Sequence, residues 1–442
     1  MEAQEASVVR GHRKGFHRLV SGGQGGAHVS SVAVGWSFGF VILTDGQVVP
    51  LWHASAFWCK PRVFPSVHHI SKISTSWSHV LALDRNTGVV YSFGWNSYGQ
   101  CGHGSRDSIQ PSLRPISTLQ TTRVCDIAAG ERHSLAISEE GQVWGWGSNQ
   151  YGQLGLLEDL PALSGREQIE LELEREQQRR KSSPNSVGAA EEELAESAHG
   201  FVHVFPKQLI LPPDMRAVQV SCGWSHSMLI DAKGRLFSFG WGMYGQLGQG
   251  DFCNEHYPVQ IRFSDLDNES TEDSEAEDFV VTEQSEDESL LEPSVLECSC
   301  GVWHSAAILK DGSLWTWGYN SFGQVDFTFF FRYPIVCFFL SGCYKLGTGD
   351  TQGSCKPSRV TIRHQETLKV GAIRCGHRHT MAQSDNGDVY CWGWNKYGQC
   401  GIEARLTTES PPEDSIVTQP QKVWDSVPLG AIAAGVWASF AW

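Results

Sequence analysis

SCGWSHSMLIDAKGRLFSFGWGMYGQLG, residues 221–248, decides the fold. It opens on a small apolar stretch and a Gly-x-x-His-Ser string (Gly223, His226, Ser227). An apolar strand follows, then Lys233-Gly234, then a strand alternating aromatic and small residues. That order is the pattern of a β-hairpin, whose turn glycine tolerates positive φ at little cost. The stretch ends in a glycine-rich loop, WGMYGQLG (241–248). One such unit cannot bury both of its faces. Several set radially can, which is the propeller solution.

Both strings recur along the chain. The loop string returns as WNSYGQCG (95–102), NQYGQLG (149–155) and WNKYGQCG (394–401), and a fifth copy begins YNSFGQ at Tyr319. The first string returns as AAGERHS (128–134), SCGVWHS (299–305) and RCGHRHT (374–380). Three variants complete the set. TSWSHV (75–80) has Ser76 for the glycine, VGWSFG (34–39) has Phe38 for the histidine, and AGVWAS (434–439) has Ala438 there. Seven copies result, at Gly35, Ser76, Gly130, Gly223, Gly301, Gly376 and Gly435. Hairpins join the two strings in LAISEEGQVWGWG (135–147), AAILKDGSLWTWG (306–318) and MAQSDNGDVYCWG (381–393). The 46 glycines and 17 tryptophans fit many short strands joined by glycine turns, and few helical domains need so much of both.

The paired strings G-x-x-H-[ST] and W-x-x-Y-G-Q-[LC]-G resemble the regulator of chromosome condensation repeat. The resemblance runs from about residue 29 to the C-terminus, insertions apart. It implies an all-β fold, a seven-bladed β-propeller over residues 28–442 with two polar, partly disordered insertions. Residues 1–27 form an N-terminal arm with a degenerate closing strand as one reading. Residues 156–200 separate the third and fourth repeats. Their centre, REQIELELEREQQRRK, is expected to form an exposed charged helix. Residues 264–293 hold 13 acids and no Lys or Arg, which predicts a disordered acidic spacer. Residues 325–345, VDFTFFFRYPIVCFFLSGCYK, split the fifth loop string. Without them the chain reads SFGQLGTGD, close to MYGQLGQGD (243–251). Arg332 and Pro334 interrupt the run, so it is too short to span a bilayer. An in-frame retained intron accounts for it, and sequencing the transcript tests that reading.

Net charge is −15, but the acidity is local. Residues 156–200 carry 11 acids and five bases, and outside the two acidic segments 25 acids face 29 bases. The body is therefore mildly basic. No apolar run follows the basic residues of the N-terminus, so no secretory signal is expected. Thirteen scattered cysteines fit reduced thiols in the cytoplasm or nucleus better than a disulfide framework.

No catalytic residue, cofactor site or metal site is expected. The chain lacks GxxxxGK[ST] and HExxH. Gly240-Trp-Gly-Met-Tyr-Gly245 has the form of a dinucleotide fingerprint, but a glycine loop follows it in place of a helix, and the same position elsewhere reads GWNSYG and GWNKYG. His79, His133, His226, His304 and His379 recur on successive repeats, so they spread around a ring and cannot converge on one metal. They are read as hydrogen-bonded structural histidines. Cys222, Cys300 and Cys375 interchange with Ala129, Ala434 and Val34, which marks a small buried position.

The residues just after the repeat glycine form the candidate interaction face: Trp36, Trp77, Arg132, Trp224, Trp303, Arg378 and Trp437. Trp and Arg anchor interfaces and pair by cation–π contact, whereas the bland alternative packs them between blades. The resemblance implies a regulatory platform for a protein partner, with a small GTPase among the candidates. Its first alternative is guanine nucleotide exchange. Its second is a tryptophan-based ultraviolet-B photoreceptor dimer, although no copy here carries the family's G-W-R-H-T string. Direct nucleic-acid contact and a membrane are not expected, since the basic arm RGHRKGFHR (10–18) is short.

Overall fold

The computed structural model describes residues 6–9, 17–19, 28–53, 69–156, 201–263, 293–320, 353–360, 369–402 and 416–442, except Ser37, Ser78, Tyr397, Val436 and Trp437. The expected helix, acidic spacer and apolar insert lie almost wholly outside the described residues.

Every hairpin read from the sequence is present. The unit containing Gly223 runs Ala217–Cys222, His226–Asp231, Leu236–Gly240 and Glu255–Gln260, an antiparallel meander in that order. Four others repeat it, starting at Ile70–Thr75, Val124–Ala129, Val295–Cys300 and Val370–Cys375. A sixth combines Ile432–Ala434 and Ser439–Ala441 with Ala6–Val9 and His17–Leu19 from the other end of the chain. Val8 there stands opposite Phe440 and Val9 opposite Ser439. The copy at Gly35 forms a sheet of three strands: Val29–Val34, Phe38–Leu43 and Val48–His53.

The expectation of seven blades is therefore corrected. The described residues make six four-stranded blades and one three-stranded sheet. The difference lies in the first copy, which lacks the YGQ[LC]G string that follows the third strand in its neighbours and has Pro50 in its last described strand.

Burial follows from the radial plan. The second strand of a blade, such as His226–Asp231, is buried along its whole length because neighbours cover both of its faces. Seven apolar clusters fill the seams, each shared by two adjacent sheets. Phe38, Phe40 and Phe93 join the three-stranded sheet to the next blade. Val34, Val41, Ala438 and Phe440 join it to the last one, which closes the ring. Six of the seven described inner pairs also slip register by one residue near the start of the first strand, as between Ala217 and Gln219. Such an irregularity increases the local twist a propeller blade needs.

Turns and loops take opposite ends of each sheet. His133 pairs with Gly147, so the loop after Gly130 and the loop after Gly147 leave from the same edge. The hairpin turn at Glu140-Gly141 lies at the other, with Gly141 at φ 82°.

Candidate functional site

The repeat strings explain themselves once the seams are seen. Imidazole Nε2 of each repeat histidine hydrogen-bonds the hydroxyl that follows the histidine of the next repeat. His79 pairs with Ser134 at 2.8 Å, His133 with Ser227 at 2.9 Å and His226 with Ser305 at 3.1 Å. His304 pairs with Thr380 and His379 with Ser439, both at 2.9 Å. These histidines are structural, as read from the sequence. Burial holds His79, His133 and His226 down at about 3 and His379 at about 4, so they are neutral at physiological pH.

In four copies, at Gly130, Gly223, Gly301 and Gly376, the repeat glycine leaves room for its own histidine, which lies across it. A Cβ on Gly223 would stand 2.1 Å from His226 Cε1 and 2.5 Å from the Gly301 carbonyl. Two seams lack the histidine, and both lack its partner too. Phe38 faces a repeat whose hydroxyl position is Val80, and both belong to one apolar cluster. Ala438 precedes a repeat whose hydroxyl position is Gly39. Polar pair and apolar pair are alternative solutions, and a half-pair is avoided because a lone buried polar group is costly.

The glycine-loop string has the same logic. Gln246 Oε1 accepts from the Tyr244 N–H, while its backbone carbonyl accepts from Ser305 and from the Trp317 indole of the next blade. Gln100 does the same for Tyr98, Ser134 and Trp146. Loops are thereby pinned onto the neighbouring blade.

With these loops fixed, the residues after the repeat glycines come together. Trp36 and Trp77 stack with ring centroids 4.2 Å apart and planes 12° from parallel. Trp224 and Trp303 stack at 5.7 Å. Trp77 lies 6.2 Å from Trp224 and joins the two pairs. Glycine-loop aromatics extend the cluster: Tyr244 meets Trp303 at 5.7 Å and Tyr319 at 4.7 Å, and Trp241 meets Tyr244 and Tyr151.

Arg132 lies over the Tyr98 ring of the preceding blade's glycine loop at 4.5 Å, and Arg378 lies over Trp394 of its own blade at 5.1 Å, both cation–π contacts. Arg378 and Trp303 are buried, at 3% and 8% exposure, so they pack within the face. Trp36, Trp77, Arg132 and Trp224 are half-buried and reach the surface. Trp437 lies outside the described residues.

Glu131 and His377 were not singled out from the sequence. They occupy the same repeat position as Trp36, Trp77 and Trp224, directly after the repeat glycine. That shared position is the signal that could have found them. Its residues converge on the axis, where Trp77, Glu131, Trp224, Val302 and His377 line an opening. Backbone bonds set the convergence: the Glu131 N–H donates to the Trp224 carbonyl and the Trp224 N–H to the Val302 carbonyl. The Glu131 side chain is only 13% exposed. Burial pushes its carboxyl up to about 7, against the opposing pull of Arg132. Oε1 faces Arg132 Nε at 3.6 Å, and Oε2 has no hydrogen-bond partner. Cys222, Cys300 and Cys375 also line this opening, with Cys222 and Cys375 raised to about 12 by burial and Cys300 raised as well, so none is a thiolate. Among the described residues no group of three or more His, Cys, Asp or Glu could hold a metal, and no helix is long and apolar enough to cross a membrane.

A ring of repeat sheets stapled by histidine–hydroxyl pairs, with an aromatic face around its axis, defines a repeat propeller of the kind built from one short motif. The chain belongs to the regulator of chromosome condensation (RCC1) repeat family. Two models of that repeat match it, one at residues 87–137, 140–169, 233–269 and 386–442, the other at 70–100, 124–153, 217–246, 299–324 and 372–399. It is similar to the ultraviolet-B receptor UVR8 of Arabidopsis thaliana, 28% identical over 355 residues covering 78% of this chain and 69% of that one. It is also similar to the human RCC1 domain-containing protein 1, 36% identical over 190 residues, which are 42% of this chain and 48% of the relative. The chain thus spans about half of that second relative. The solved structure of Prp20p from Saccharomyces cerevisiae, described with its binding properties to Gsp1p and histones, shares the fold at a TM-score of 0.58 and 17% identity, over 93% of this chain and 81% of that one.

Proposed function

We propose that the chain is a regulatory protein-interaction platform whose partner docks on the aromatic face. One observation carries this: four tryptophans from four sheets meet in a continuous cluster at one end of the ring, and three of them reach the surface. Aromatic residues at the centre of a patch supply most of the energy of a protein interface. No catalytic constellation competes with this reading at the described end of the ring.

Guanine nucleotide exchange on a small GTPase is the first alternative. It draws on family membership and on the Gsp1p binding of Prp20p, a likeness that concerns fold alone. An ultraviolet-B response is the second. It draws on the Trp36–Trp77 stack at 4.2 Å, close enough for the two indoles to share excitation. The proposed setting is cytoplasmic or nuclear, consistent with ten free cysteines among the described residues.

Affinity capture with the intact chain and with a Trp36→Ala/Trp77→Ala variant of unchanged thermal stability tests the platform. The expected result is a protein captured by the first and lost by the second. Capture by both variants alike would sink the aromatic-face reading. A nucleotide-free GTPase among the captured proteins, together with accelerated nucleotide release in vitro, would replace the platform by the exchange factor.

A further inference from the structure

The axial opening has a composition that a plain packing role does not need. Trp77, Glu131 and Trp224 come from three consecutive sectors, with the carboxylate in the middle one. The two indoles lie 6.2 Å apart at 50°, as two walls meeting at an angle. His377 closes the far side, 5.9 Å from Trp77, and Trp36 backs Trp77 from behind. Aromatic faces carry negative potential, and the Glu131 carboxylate adds a charge that burial leaves poorly solvated. The site is thus built to attract a cation.

Its details select the cation. A guanidinium seeks two carboxylate oxygens in its fork, but Oε1 already faces Arg132 and only Oε2 lacks a partner. An alkylammonium needs one oxygen and apolar ring faces around its carbons. Arg132 does not fill the role itself, since its guanidinium is drawn over the Tyr98 ring and is 38% exposed on its side chain. We propose that the axial opening is an aromatic cage for an alkylammonium group, the methylated lysine side chain of a partner protein. That a protein presents it rests on the interaction-face reading, because the opening sits amid the same tryptophans.

Calorimetric titration of the full chain with tetramethylammonium, and with its neutral carbon isostere, tests the cage without any partner. Binding of the cation and not of the isostere is expected. Glu131→Gln, which keeps shape and removes charge, should weaken it by about tenfold or more, and Trp224→Leu should weaken it similarly. Equal affinity for cation and isostere, or a Glu131→Gln protein that binds as well as the parent, overturns the cage. A trimethyllysine peptide should bind about tenfold tighter than the same peptide with unmodified lysine. If the cation binds but the two peptides do not differ, the assignment to methylated lysine is overturned. Failure here leaves the Trp36/Trp77 capture experiment unaffected, so the two proposals fail separately.

Discussion

At the scale of single residues, the repeat is a set of steric and polar obligations. Gly223 is glycine because the imidazole three residues on occupies the space of a Cβ, with the Gly301 carbonyl behind it. Gly430 is glycine for a different reason: its φ is 81°, yet nothing lies within 4 Å of its Cβ position. Gly430→Ala should cost about 1–2 kcal/mol, the penalty for a left-handed backbone alone. Gly223→Ala should cost more, about 3 kcal/mol or above, because backbone and ring must both shift. Chemical denaturation of the two variants checks the order. The repeat glycine and histidine were both plain in the sequence; that one excludes the other's neighbours was not, because the contact depends on how the loop folds back.

Among elements, the seam is the unit of stability. Five seams carry a histidine–hydroxyl pair, and the two flanking the three-stranded sheet are apolar. Converting one kind into the other is therefore a fair test. His226→Phe alone leaves the Ser305 hydroxyl its bond to the Gln246 carbonyl but crowds it with an aromatic ring. Ser305→Val alone leaves His226 Nε2 buried without its partner, at about 2 kcal/mol. The double variant copies the Phe38–Val80 seam. Its loss of stability should be smaller than the sum of the singles by about 1 kcal/mol or more. Strict additivity in the cycle would show that the two side chains are not coupled as the geometry implies.

Across the whole molecule, the same histidines set the response to acid. Four of them titrate at about 3 to 4 when folded and near 6.5 when unfolded. A depressed histidine pKa means that the unfolded chain binds protons first. Stability from these rings is therefore complete above pH 6.5 and is lost progressively as pH falls toward 3. Each ring can remove on the order of 4 kcal/mol over that window, and a domain has only about 5–15 to lose. Glu131 opposes this, since a carboxyl raised to about 7 gains stability as pH falls from 7 to 4.5, but one group does not offset four. Acid unfolding is expected well above pH 3, followed by circular dichroism against pH. A chain still folded at pH 3 would mean that the imidazoles relax or hydrate in place.

The sequence by itself determined the all-β class, the radial repeat, the hairpins and the structural standing of the histidines. Each of these is periodic, and periodicity is local information. Three things were decided only in three dimensions. The copy at Gly35 carries a variant of the first string, and its described residues yield three strands where its neighbours yield four. Arg132 of the candidate face lies over Tyr98 from the preceding blade's glycine loop and Arg378 over Trp394 at the end of its own hairpin, pairings set by how loops and strands pack. Glu131 was not singled out from the sequence. Its place as a carboxylate among the aromatic residues on the axis came from closing the ring, which brings residues far apart in the chain together at the centre.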